Sequence, residues 1–162
     1  MIGPAHAEGP SVVVREAAPA DLPAVHALVA AAGLPLDGLA EAALVLVADA
    51  GGAVIGTVAL ERHGTGRDAA FLLRSAAVDP AWRNRRVGAA LTTAALERVD
   101  ADLAPVALLT ETAHEWFPRF GFAAVDRAAL PAALQASPEL RGACPASARA
   151  MLRSAAAGSA AP

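Results

Sequence analysis

The sequence predicts an α/β protein, and three features in the middle of the chain support this prediction. Residues 71–78 form an apolar run, which is typical of a strand buried on both faces. After a basic turn, apolar residues recur every four positions, as on one face of a helix; these are Val87, Leu91, Ala95, Val99 and Leu103. The apolar segment 105–109 then predicts another strand.

Length and composition indicate one domain. A chain of 162 residues can bury a single core, and with 56% hydrophobic but only 4% aromatic residues that core consists of alanine, valine and leucine. We expect the domain to span residues 11–153, between disordered tails at 1–10 and 154–162, which are rich in small residues.

The charge and the cysteine content exclude several functional classes. A net charge of −3 gives no electrostatic case for binding nucleic acid or an anionic membrane. One cysteine, Cys144, excludes an internal disulfide framework, and the four histidines are too scattered for a metal site. No apolar run approaches the ~20 residues that span a bilayer. We therefore expect a soluble cytoplasmic protein without a metal, whose oligomeric state the sequence leaves open, a homodimer included.

The segments before the central strand alternate between strand and helix. Asp21 has the position and chemistry of a helix N-cap, and the sequence Asp49–Gly52 is typical of a tight hairpin turn. The predicted elements are a strand at 11–16, a helix from Asp21 to Gly33, a loop with a short helical turn at 34–41, and strands at 44–48 and 53–61.

After the central helix and the strand at 105–109, the pattern predicts shorter elements. A short helix covers 113–120 and ends at Gly121, which suits a C-terminal cap. A strand at 122–125 follows. Residues 130–151 then predict a helix, a loop and a closing strand.

The central motif, LRSAAVDPAWRNRRVGAAL, resembles the acetyl-CoA-binding segment of the GNAT acetyltransferases, Arg/Gln-x-x-Gly-x-Gly/Ala. Arg83 and Gly88 occupy its first and last positions, whereas Arg86 stands at the middle glycine, where it either costs a positive-φ conformation or adds a phosphate contact. Together with the strand-and-helix opening and the short helix before Gly121, the resemblance covers residues 11–127. It implies a mixed, mostly antiparallel sheet of six to seven strands flanked by helices.

The resemblance also implies acetyl-CoA as co-substrate. Unpaired N–H groups and partial positive charge at a helix start suit its pyrophosphate. The backbone N–H of Val78 is assigned to the oxyanion of the transition state. The residues assigned to the cofactor are Ala76, Val78, Arg83, Arg85, Arg86, Val87, Gly88, Ala89, Ala90 and Phe117.

Acid–base groups are less obvious. Many relatives have a tyrosine in the helix before the Gly-Phe pair as the acid, but here the position is Phe117 and the chain has no tyrosine. The leaving thiolate is then assisted by water or by another donor, of which Ser75, Thr112 and Cys144 are candidates. For the base the candidates are Glu111 and His114, just past the strand at 105–109.

Arg74 is the candidate for substrate binding, because a charge within an apolar strand must be paired. Its guanidinium suits a two-pronged contact with a carboxylate, beside hydroxyl contacts from Ser75 and Thr110. We expect Arg74, Ala76 and Val78 to project to one face of the strand. The alternative is an internal salt bridge of Arg74; its candidate partners are Glu41 and Asp68.

The predicted function is direct transfer of an acetyl group to the amine of a small amino acid or glutamate-like analogue. The LLRS and LLTETA segments and the C-terminal pattern resemble the arsenic-resistance branch and the short N-acetylglutamate synthase-like proteins, which implies an arsenic- or phosphorus-containing analogue as acceptor. Two alternatives stay open. One is N-acetylglutamate synthesis, and the other is a non-catalytic acyl-CoA-binding module.

Overall fold

The computed structural model describes residues 10–155. Apart from residues 10, 154 and 155, the predicted tails lie outside this range. The strands and α-helices within this range number seven and two: β1 Val12–Glu16, α1 Leu22–Ala31, β2 Leu44–Ala50, β3 Ala53–His63, β4 Ala70–Val78, α2 Val87–Asp100, β5 Val106–Thr110, β6 Ala123–Val125 and β7 Arg149–Arg153.

The strands form one mixed sheet with the order β1-β2-β3-β4-β5-β7-β6. Every neighbouring pair is antiparallel except β4 and β5, which run parallel across the connection through α2. The prediction of a mostly antiparallel, six- to seven-stranded sheet flanked by helices is therefore confirmed.

Side-chain alternation along β3 divides the core between the two faces of the sheet. Val58 and Leu60 belong to the cluster that packs under α2, and Ala59 belongs to the cluster that includes Val25 and Val29 of α1. A third cluster lies where the C-terminal segment covers β4, β5 and β7; its buried members are Ala70, Leu72, Ala107, Leu130, Leu134 and Ala150. The C-terminal segment is therefore an integral layer of the domain.

The N-terminal predictions are confirmed in outline and corrected at one cap. The hairpin turns at Gly51 and Gly52, where the Asp49 carboxylate accepts the N–H of Gly52 at 2.7 Å. Asp21 does sit at the N-cap of α1, but its carboxylate makes no cap hydrogen bond to that helix. It accepts instead from two nitrogens of Arg15 at 2.7 and 3.0 Å, and this contact lowers the pKa of Asp21 to about 2.

Three predicted helical segments are shorter than expected. α2 ends at Asp100, before Leu103, which has a positive φ of 52°. The helix predicted over 113–120 is only a 3₁₀ turn, Phe117–Phe120, although it does end at Gly121 in the left-handed conformation. In place of a helix after residue 130 there are short turns, Ala132–Ala136 and Glu139–Ala143. Proline residues interrupt this segment, and because proline lacks a backbone N–H they prevent a continuous helix.

A β-bulge interrupts β4 at Ser75, whose φ is +56°. On the β3 side of the bulge the register pairs Arg74 with Ala59 and Ala77 with Thr57. Two residues of β4 therefore oppose one residue of β3, which is the definition of a bulge and bends the strand locally.

The bulge changes which side chains share a face. The side chain of Ala77 lies on the same face of the sheet as that of Arg74. Ala76 is exposed, and Val78 packs against the core cluster under α2. The prediction that Arg74, Ala76 and Val78 project to one face is wrong, because strict alternation does not survive an inserted residue.

Candidate active site

A cleft opens where β4 and β5 separate. The two strands pair only at Phe71 with Val106 and at Leu72 with Ala107. β5 then continues along β7, so the edge of β4 that would face it has no strand partner. The cavity there has a volume of about 800 Å³ and is lined by the ends of both strands, the start of α2, the end of α1 and the C-terminal segment.

The backbone of β4 presents a free donor to this cleft. The N–H of Asp79 donates to the carbonyl of Ile55 on β3 at 2.8 Å. Since successive N–H groups of a strand point to opposite sides, the N–H of Val78 is directed away from β3, toward the cleft. An extended ligand can therefore pair with β4 as an added strand would.

The basic turn lies at one end of the cavity, and both Arg83 and Gly88 line it. Asn84 and Arg86 have positive φ values of 63° and 62°. The side chains of Arg83, Arg85 and Arg86 are exposed, and the Arg85 guanidinium stacks 5.0 Å from the centre of the Trp82 ring. With the first N–H groups of α2, they make this end of the cavity favourable for anions.

Arg86 precedes α2 in the left-handed conformation and makes no capping hydrogen bond. That conformation costs a non-glycine residue roughly 1–2 kcal/mol. Arg86→Gly is therefore expected to preserve the fold and to raise the free energy of unfolding by about 1 kcal/mol, as measured by urea denaturation. Arg85→Gly is the control. Arg85 is not among the residues with a positive φ, so glycine relieves no strain there and should not stabilise the protein. A loss of stability in Arg86→Gly would show that the arginine side chain supports the turn.

The candidate acid and base positions differ in their relation to the cavity. Phe117 lines it and makes edge-to-face contacts with Trp116 and Phe122, so no hydroxyl is available at the tyrosine position. Glu111 lines the cavity, is exposed, and accepts from the Ser147 hydroxyl at 2.9 Å. His114 is not among the described residues that line the cavity.

The hydroxyls predicted near the acceptor both lie at the cavity and already make hydrogen bonds. Thr110 accepts from the N–H of Ala113 at 2.9 Å, which fixes the turn after β5. Ser75 accepts from Nε of Arg74 at 3.1 Å. Each hydroxyl still has its own proton to donate.

Arg74 is fully enclosed and is engaged by the protein itself, since its side chain has no exposed surface. Besides Ser75, its guanidinium donates to the Glu61 carboxylate at 2.8 Å and to the carbonyls of Asp37 and Pro35 at 2.6 and 3.0 Å. Four of the five N–H donors of the guanidinium are thus used. A two-pronged contact with a substrate carboxylate does not fit this arrangement.

An internal salt bridge is present, but both predicted partners, Glu41 and Asp68, are wrong. The partners of Arg74 are Glu61, and at 3.7 Å from Nε, Glu139. Glu61 precedes the turn into β4 and lies on the same face of the sheet as Arg74, which explains the pairing.

Sequence reasoning missed Glu139, a buried carboxylate in the wall of the cavity. Burial raises its pKa to about 7, and nearby Glu61 adds to the rise, which Arg74 opposes. Burial also raises the pKa of the nearby Cys144 thiol to about 12, and the Glu139 carboxylate adds to this rise. Cys144 is therefore a neutral thiol beside this carboxylate. The position of Glu139 between Pro138 and Leu140 gives no sequence signal that the carboxylate is buried.

The described range, residues 10–155, contains no α-helix that could serve as a membrane span. Nor does it contain a group of three or more His, Cys, Asp or Glu side chains that could hold a metal ion.

Comparison with known proteins gives a family match. Residues 41–124, just over half of the chain, match the model of the acetyltransferase (GNAT) domain. No curated protein sequence matches the chain.

Solved structures share the fold. The chain is 19% identical to N-acetylglutamate synthase from Neisseria gonorrhoeae, with a TM-score of 0.74, over 93% of this chain but only 36% of the synthase. It is 26% identical to Rv2747 from Mycobacterium tuberculosis, with a TM-score of 0.71, over 89% and 99% of the two chains. A Staphylococcus aureus acetyltransferase of the GNAT family is 15% identical, with a TM-score of 0.72, over 88% and 98%.

Proposed function

The chain belongs to the GNAT acetyltransferase family and is an acyltransferase that uses CoA, and from this premise we propose direct acetylation of a small amino acid or glutamate-like analogue. The separation of β4 and β5 carries the proposal, because it leaves a free strand edge in a cavity whose lining runs from the basic turn to the buried side chains of Arg74 and Glu139. We take residues 11–153 as the single acetyltransferase domain.

In this proposal the cofactor lies along the free edge of β4. Its pantetheine arm pairs with the backbone at Ala76 and Val78 and packs beside Phe117, and the N–H of Val78 stabilises the oxyanion. The pyrophosphate binds at the start of α2, where the contributors are Arg83, Arg85, Arg86, Val87, Gly88, Ala89 and Ala90.

The chemistry is nucleophilic attack of a neutral amine on the thioester carbonyl. A C–N bond forms, the C–S bond breaks, and the proton lost from the nitrogen of the tetrahedral intermediate goes to the leaving thiolate, directly or through water. No tyrosine assists this step. Acid–base assistance usually contributes ~10²–10⁴-fold, whereas positioning can supply ~7–11 kcal/mol, so transfer proceeds without it. Thr110 and Ser75 border the acceptor.

The glutamate-like acceptor rests on two likenesses. The LLRS and LLTETA segments resemble the arsenic-resistance branch, which motivates an arsenic- or phosphorus-containing analogue. The gonococcal synthase that shares the fold was solved with CoA and N-acetyl-glutamate, but this chain spans about a third of its length. N-acetylglutamate synthesis is therefore the second candidate reaction. Since Arg74 is engaged internally, a carboxylate of the acceptor must find other donors.

A non-catalytic acyl-CoA-binding module is the alternative that Phe117 favours. Release of free CoA thiol from acetyl-CoA distinguishes the two. The acceptors to compare are glutamate, a phosphorus-containing glutamate analogue, other amino acids and decarboxylated amines. We expect acceptor-dependent thiol release that is highest with the glutamate-like compounds. Cofactor binding without thiol release for any amine would support the binding module.

Gly88→Asp is expected to abolish the stabilisation of the protein by acetyl-CoA, because it places a carboxylate at the pyrophosphate site. At a ligand concentration 100 times Kd, the wild type should gain ~2.7 kcal/mol, or roughly 5–10 °C in Tm. Gly88→Ala is the matched control. A Cβ at this position would lie 3.7 Å from Trp116 and 3.8 Å from Val78, which are ordinary contacts. If Gly88→Asp keeps the wild-type shift, the pyrophosphate assignment is wrong.

A further inference from the structure

A buried charge at the acceptor end of the cavity lacks a full counter-charge. The guanidinium of Arg74 lies beside two buried carboxylates, those of Glu61 and Glu139. Glu61 is the closer of the two, at 2.8 Å from Nη1 of Arg74, whereas Glu139 is 3.7 Å from Nε. A single positive charge cannot balance two negative ones, so when both carboxyl groups are ionised Glu139 is the poorly compensated member.

Within residues 10–155, Arg74 is the one cation that acts on the Glu139 carboxyl. The charged and titratable groups that face its carboxyl are Arg74 on β4, Glu61 on β3 and Cys144 on its own segment. His63 contacts the other oxygen of Glu61 at 2.7 Å. Glu139 itself lines the cavity that contains the free edge of β4. A cation in this cavity would therefore complete the balance of charge, and an anion would worsen it.

We propose that Glu139 binds the ammonium group of the acceptor and accepts its proton before acetyl transfer. The inference rests on the proposed function, since an amine acceptor brings the cation that the site lacks. It also changes how the acceptor is recognised. The carboxylate of Glu139 binds the amino group of the acceptor. Arg74 positions that carboxylate and Ser75 and does not contact the substrate.

The proton balance of this step is complete. The ammonium group gives one proton to the Glu139 carboxylate, which leaves a neutral amine with its lone pair free. The amine attacks the thioester carbonyl, the C–N bond forms and the C–S bond breaks. A second proton moves from that nitrogen to the thiolate, giving the amide and the CoA thiol. Glu139 returns its proton to water when the products leave.

Glu139 suits this role better than the residues predicted from sequence. Glu111 is exposed and is held by Ser147, and His114 is outside the described lining of the cavity. A general base works best when its pKa lies near the working pH. Burial raises the pKa of Glu139 to about 7, within that range.

The test compares Glu139→Gln with the wild type, using L-glutamate and the best acceptor from the thiol-release panel. We expect kcat/KM to fall ~10²–10⁴-fold, with the acidic limb of its pH profile near pH 7 removed. Glu97→Gln is the matched control, because Glu97 is exposed on α2 and lies outside the lining of the cavity; this variant should keep kcat/KM within a few-fold and retain the limb. Glutamine has the shape and charge of the protonated acid, so acetyl-CoA should raise Tm in Glu139→Gln as in the wild type.

The outcomes separate the two proposals. A wild type that releases no thiol with any amine overturns the proposed function and this inference with it. An active wild type whose Glu139→Gln variant keeps the parental rate and pH profile overturns the inference alone. A fall in activity accompanied by loss of the acetyl-CoA Tm shift also overturns it, because Glu139 would then support the cofactor site.

Discussion

Arg74→Met is expected to lower the free energy of unfolding by about 3–5 kcal/mol, because it removes the guanidinium that lies between the buried carboxylates of Glu61 and Glu139. The carbonyls of Pro35 and Asp37 lose their donors in the same substitution. Methionine keeps much of the volume of the side chain, so the loss is mainly electrostatic. Since a domain is stable by only ~5–15 kcal/mol, urea denaturation should register this change as a large fall in the midpoint.

The matched control is the double variant Arg74→Met/Glu61→Met, which removes both charges. Replacing a buried pair by apolar groups is often nearly neutral, so the double variant should recover much of the stability lost in the single one. Hydrogen exchange should also be faster over residues 34–38 in both variants, because both lack the guanidinium that donates to the carbonyls of Pro35 and Asp37. A single variant as stable as the wild type would show that the ion pair does not hold this part of the fold.

The features that could be predicted from the sequence are those that local periodicity determines. The four-residue repeat from Val87 to Val99 placed α2, and the apolar run ending at Asp79-Pro80 placed β4. The two glycines at 51 and 52 fixed the hairpin. Each of these signals lies within one element and does not depend on the register of the sheet.

The features that were missed depend on how elements meet. A serine at a positive φ is not a usual signal for a bulge, so the change of face after Ser75 could not be read from the sequence. Likewise, the partnership of Arg74 with Glu61 follows from the register of β3 on β4. Without that register, nearby acidic residues in the sequence were equally good candidates.

The residue that we propose for the acceptor shows the same limit. Glu139 lies in short turns separated by prolines, where no helical or strand period indicates which side chains point inward. The contacts of the C-terminal segment with β4 and β5 bury its carboxylate. The residues proposed for the cofactor, by contrast, lie in one contiguous motif from Ala76 to Ala90, apart from Phe117, so a local sequence pattern is enough to propose them.

The stability of Glu139→Gln relative to the wild type is expected to rise with pH. The pKa of Glu139 lies at about 7 in the folded protein, against an ordinary value of 4.5. A raised carboxyl pKa means that the folded state binds the proton more tightly. Its contribution to stability is therefore complete below pH 4.5 and is lost as the pH rises through 7. A difference of about 2.5 pKa units corresponds to on the order of 3 kcal/mol.

Glutamine cannot ionise, so the variant escapes this loss. Measured by urea denaturation, the difference in unfolding free energy between Glu139→Gln and the wild type should grow in favour of the variant between pH 5 and pH 8.5. Subtracting the unfolding free energy of the wild type from that of the variant removes the contributions of groups that titrate alike in both proteins. Thr93→Ala is the control, since that side chain is exposed and carries no ionisable group, so its difference should stay flat. If the Glu139→Gln difference is also flat, the carboxyl is ionised at ordinary pH in the folded protein, and a cation or water must already compensate it.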